Sequence, residues 1–99
     1  MRTIQEKIEQ AIETRVADCG YELCCMRYDK KEPDEDTVVD FWAQPPDGFD
    51  TKLRFVLCMS KHTWSINFFH PEETQFAVDQ YRTKEDIEQI LDFIQKQLD

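Results

Sequence analysis

The sequence predicts an α+β domain: a helix, a five-stranded antiparallel meander sheet and a second helix, with both helices packed on one face of the sheet. Three observations lead there. Apolar residues recur at helical spacing near both ends of the chain, and residues 21–81 between them form short runs rich in β-branched and aromatic side chains. The connections between those runs are shorter than the dozen or so residues that a parallel crossover needs.

Thr3 followed by Glu6 is a capping-box pattern, in which each side chain satisfies a free backbone N–H of the other residue at a helix start. Ile4, Ile8, Ala11, Ile12 and Val16 then share one face, and Gly20 follows as the C-terminal stop, giving a helix over 4–18. Five strands follow, over 21–29, 37–44, 51–59, 62–69 and 74–81. They are separated by turn chemistry such as Lys31-Glu32-Pro33-Asp34 and Pro45-Pro46-Asp47-Gly48. Alternation sends Tyr21, Leu23, Cys25, Val39, Phe41, Leu53, Phe55, Leu57, Trp64, Ile66, Phe68, Phe76 and Val78 to one face, which supports the helices. Thr83 with Asp86 three residues later repeats the N-cap logic, and Ile87, Ile90, Leu91, Ile94 and Leu98 line one face of the closing helix.

Ninety-nine residues suffice for one core that hides about two-thirds of the unfolded surface, so a single domain over 1–99 is expected. No stretch approaches the roughly 20 apolar residues that span a bilayer, and Met1-Arg2-Thr3-Ile4-Gln5-Glu6 lacks the apolar core of a signal peptide. A cytoplasmic location follows as the expectation, with Cys19, Cys24, Cys25 and Cys58 reduced and packed as small apolar side chains. The net charge of −9 opposes direct binding to nucleic acid or an anionic membrane. Residues 29–50 hold eight acids against two bases and residues 72–99 eight against three, whereas 51–71 carry Lys52, Arg54 and Lys61 with no acid at all. Two acidic regions and one mildly basic ribbon are therefore expected.

The chemistry-bearing residues fall short of any site. There is no Cys-x-x-Cys or His-x-x-x-His pair, and Cys24 and Cys25 on a strand point to opposite faces, so the spacing argues against zinc. A cysteine nucleophile paired with His62 or His70 lacks the positive surroundings that stabilise a thiolate. The spacing of Asp34, Asp36 and Asp40 does not match a calcium loop, and two glycines in the whole chain exclude phosphate-cradling loops and dinucleotide fingerprints. Neither catalytic nor cofactor-binding residues are assigned. Glu32, Asp34, Glu35 and Asp36 form a candidate acidic patch in a loop.

The second face of the sheet is more informative. The register that buries the first face sends Cys24, Met26, Tyr28, Val38, Trp42, Val56, Cys58, Phe69, Ala77 and Tyr81 the other way. Two short helices cover one face and not both, so this half-apolar surface stays open unless another chain covers it. Met26, Tyr28, Trp42, Val56, Phe69 and Tyr81 are its candidate protein-interaction residues, with a homodimer as the preferred occupant.

Two classes of function follow. The first is a non-enzymatic protein-interaction module, an adaptor, inhibitor or chaperone-like protein with a protein partner. The layout of acidic helices and a twisted antiparallel sheet resembles the acidic secretion chaperones in architecture; those proteins dimerise, and they place a further helix between strands that this chain lacks. Within the same class stands an acidic nucleic-acid mimic that inhibits a DNA- or RNA-binding protein. The second class is an enzyme or small-ligand binder whose pocket between sheet and helices is lined by Tyr28, Trp42, Trp64, His62 and His70, with Arg27 or Arg54 meeting an anion.

Overall fold

The computed structural model describes residues 4–28, 37–48, 50–59 and 63–99, with Arg27, Tyr28 and Thr37 described in backbone only. The elements run α1 (Ile4–Asp18), β1 (Glu22–Tyr28), β2 (Thr37–Gln44), β3 (Leu53–Met59), β4 (Thr63–His70), β5 (Thr74–Asp79) and α2 (Thr83–Leu98). The five strands form one sheet in the order β1-β2-β3-β4-β5, and every neighbouring pair is antiparallel. This is the expected meander between two helices.

Local chemistry explains where most elements stop. Gly20 takes φ +87°, a left-handed conformation that costs a Cβ-bearing residue energy, while its N–H donates to the Ala17 carbonyl at 3.0 Å. Tyr21 N–H reaches back to the Val16 carbonyl at 3.1 Å, so two free carbonyls at the end of α1 are satisfied and the chain turns into β1. Between β2 and β3, Gly48 N–H donates to Pro45 O at 3.2 Å across the Pro-Pro-Asp-Gly turn. Lys52 N–H then closes on Ala43 O at 2.9 Å, so β3 starts at Leu53 and not at residue 51.

β5 also ends earlier than the alternation suggests. The Asp79 carboxylate accepts the Tyr81 N–H at 2.8 Å, and the Asp79 carbonyl accepts the Arg82 N–H at 3.1 Å. The backbone thereby folds out of the sheet after Asp79, as Asp-led turns do. Thr83 is not the N-cap that its pairing with Asp86 suggests. Arg82 holds that position without a side-chain cap, the Thr83 hydroxyl donates backwards to Asp79 O at 2.9 Å, and Asp86 accepts the Asp79 N–H at 2.9 Å. The same two side chains tie the helix start to the strand end. Thr3, the other expected cap, lies outside the described residues.

Both helices lie on the same face. Ile8, Ile12 and Val16 of α1 and Ile90, Ile94 and Leu98 of α2 are buried in one cluster with Val39, Phe41, Ala43, Leu53, Phe55, Leu57, Met59, Ile66, Phe68 and Val78. A run of rings crosses its centre: Phe41 stacks on Phe55 at 5.1 Å, Phe55 meets Phe68 at 5.0 Å, and Phe68 packs at 4.6 Å against Phe93 from α2. Such ring pairs add about 0.5–1.5 kcal/mol each beyond the area they bury. The helices meet each other as well, with Arg15 donating to Gln95 Oε1 at 3.3 Å, which sets their C-terminal ends side by side.

Candidate functional site

With both helices on one side, the opposite face of the sheet is left without helical cover. The strand register arranges that face in rows. Cys24, Trp42, Arg54 and His70 align across β1 to β4; Met26, Asp40, Val56, Asn67 and Gln75 align next, and then Tyr28, Val38, Cys58, Ser65 and Ala77. The rows change character along their length. On β1–β3 they are apolar except for Asp40 and Arg54, whereas on β4 and β5 they turn to Ser65, Asn67 and Gln75. The open apolar patch is therefore a β1–β3 feature.

Its side chains are displayed to different degrees. Met26 is 53% exposed, while Cys24, Val38, Trp42, Val56 and Cys58 are half-buried. Of the six sequence-derived candidates, the structure brings Met26, Trp42 and Val56 together in adjacent positions on neighbouring strands. Tyr28 occupies the next row, but its side chain lies outside the described atoms. Phe69 sits apart, at the irregularity in β4 where Arg54 pairs with His70 and Phe55 with Phe68, and is 54% exposed. Tyr81 has left the sheet altogether, 86% exposed in the turn before α2, because the Asp79 turn ends the strand first. The candidate acidic patch of Glu32, Asp34, Glu35 and Asp36 lies outside the described residues, as do Lys61 and His62.

At the centre of the patch sits a charged pair. Asp40 is only 8% exposed, and its Oδ2 accepts a hydrogen bond from Arg54 Nη2 at 3.1 Å. The two are diagonal neighbours across β2 and β3, since Asp40 aligns with Val56 and Trp42 with Arg54. The pair is lopsided. The Arg54 side chain is 57% exposed, while Asp40 Oδ1 is buried without a hydrogen-bond partner among the described residues. Single-strand alternation places Asp40 on this face between Val38 and Trp42, but only cross-strand register shows that it meets Arg54.

Of the residues proposed to line a ligand pocket, Trp42, Arg54 and His70 share one row of the open face, whereas Trp64 packs against the core on the other side of the sheet; His62 and the side chains of Tyr28 and Arg27 lie outside the described atoms. A cleft of about 520 Å³ lies elsewhere, between α1 and the first two strands; Glu6, Glu9 and Glu13 form one wall and Leu23, Cys25 and Phe41 the other. This cleft corrects the placement of Cys25 among covered residues. β1 is an edge strand with a neighbour on one side only, and α1 stands off from it, leaving Cys25 exposed. Burial, and after it the charge of Asp99, pushes the Cys19 thiol up from its ordinary value, which disfavours a nucleophilic thiolate there. Among the described residues no group of three or more His, Cys, Asp or Glu side chains is placed to hold a metal ion, and no helix is long and apolar enough to cross a membrane. Against protein-family models, curated proteins and solved structures, the chain finds no match.

Proposed function

We propose that this chain is a non-enzymatic protein-interaction module that works as a homodimer through the β1–β3 half of its open sheet face. One observation carries the reading: Met26, Trp42 and Val56, flanked by Cys24, Val38 and Cys58, surround the Asp40–Arg54 pair with apolar side chains on the side of the sheet that neither helix covers. Antiparallel sheets that stand alone in water alternate apolar-in with polar-out, and on β4 and β5 this sheet follows that rule. On β1–β3 it does not. Apolar area of that kind on a small chain marks a surface that another protein covers.

Size-exclusion chromatography with light scattering over a concentration series tests the proposal. The expected result is twice the chain mass at high concentration, falling to one chain mass on dilution. A companion Val56→Asp variant should run as a folded monomer, because a second copy would have to bury its charge. A wild-type chain of single mass at every concentration would end the homodimer reading.

A further inference from the structure

An ionised carboxylate offers about four lone-pair directions, and a guanidinium carries five N–H donors. At the centre of the open face these capacities are mismatched. Asp40 Oδ2 accepts from Arg54, while Oδ1 is buried with no donor among the described residues, which leaves a charged group's desolvation uncompensated. Arg54 spends one nitrogen on that bond, and more than half of its side chain remains in solvent. Spare donors and an unsatisfied acceptor thus stand side by side, one bond apart, within an apolar patch.

A second copy of the same patch corrects both. A two-fold axis lying in the interface plane, parallel to the face, sets the patch against its own copy, so that every contact occurs twice with the roles exchanged. We propose that in the homodimer each Arg54 bridges its own Asp40 and the partner's Asp40, and that this reciprocal clasp sets the register of the interface. Met26, a flexible and exposed side chain aligned with Asp40 on β1, gives way so that the partner's guanidinium reaches the carboxylate. Charge also favours a copy of this chain over a basic partner. Asp40 and Arg54 make the apolar patch neutral although the chain carries −9, and face-to-face pairing puts both acidic helix layers on the outside, farthest apart. The alternative occupant, a protein with its own cation for Asp40, would leave Arg54 without a counterpart.

The inference rests on the homodimer proposed above, and one experiment separates the two. Asp40→Lys and Arg54→Glu variants are prepared singly and then mixed, with mass read by light scattering and folding by circular dichroism. Each variant alone should be monomeric, because like charges meet both within and across subunits. Mixed, they should recover a heterodimer, since the new lysine faces the new glutamate and the retained arginine faces the retained aspartate only across the interface. Both intramolecular pairs remain like-charged in the mixture, so recovery comes only from contacts between subunits. A wild-type dimer whose mixed variants stay monomeric overturns the clasp and leaves the dimer standing; a monomeric wild type overturns both. Should Asp40→Lys fail to fold, Asp40→Asn keeps the side chain's shape. The clasp then requires its dimer Kd to rise about tenfold or more, and an unchanged Kd refutes it.

Discussion

The two faces of one sheet are built from the same strands, residue by residue in alternation, yet they solve different problems. On the helix side, Phe41, Phe55 and Phe68 sit in ring-to-ring contact, with Phe93 brought in by α2, and the cluster is closed to solvent. On the other face, Trp42, Arg54 and His70 share a row of a surface that is greasy on β1–β3, polar on β4 and β5, and centred on a half-satisfied ion pair. Alternation alone therefore does not make an inside and an outside. The placement of two helices makes them, and the apolar residues left on the uncovered face are the ground for the proposed homodimer.

That contrast can be broken most forcefully at its core. Phe55→Ala removes a fully buried ring that touches two others, and should cost about 3–5 kcal/mol, lowering the thermal midpoint by roughly 15 °C or more. Trp42→Ala, one strand over on the open face, should cost the dilute subunit less than about 2 kcal/mol while weakening self-association about a hundredfold. Parallel urea titrations and sedimentation runs on the two variants would show whether stability and association separate by face. Equal losses of stability would erase the distinction.

Smaller effects sharpen the same comparison. Gly20→Ala adds a Cβ that meets nothing within 4 Å, so its only penalty is the left-handed backbone, about 1–2 kcal/mol in urea unfolding, with association unchanged. Cys19 gives the smallest effect. Its folded thiol holds a proton more tightly than the unfolded chain does, so its contribution to stability is fully present below the ordinary value of 9.0 and is lost as pH rises through the raised one. Cys19→Ala should flatten the alkaline limb of the stability profile without shifting the neutral one, as urea midpoints at pH 8 and pH 10 would record.

The architecture was largely legible because the signals were redundant. Ile8, Ile12 and Val16, and Ile90, Ile94 and Leu98, mark helix faces by spacing alone, and the short turn-rich connections leave little besides a meander. What escaped was set by contacts between elements. Phe93, read as neither core nor surface, is drawn inward by the rings of Phe68 and Phe76. Cys25 has the alternation of a buried residue, but sits on an edge strand beside a cleft. Tyr81 belongs by period to the open face, yet the Asp79 carboxylate takes its N–H and turns it away. Asp40 enters the sequence reading only through a spacing with Asp34 and Asp36 that fails as a calcium loop; its value comes from Arg54, fourteen residues on, which the β2–β3 register brings to 3.1 Å.

Adjacent cysteines on β1 offer the most direct measurement. Cys24 lies in the apolar patch and Cys25 faces the cleft on the other side, while Cys58 joins Cys24 on the open face. Alkylation rates followed site by site by mass spectrometry, over a concentration range spanning any dimerisation, should show Cys24 and Cys58 becoming protected as the mass doubles, with Cys25 unchanged. A dimer that shields Cys25 instead, or leaves Cys24 and Cys58 as reactive as in the monomer, would contradict the assignment of the open face as the interface.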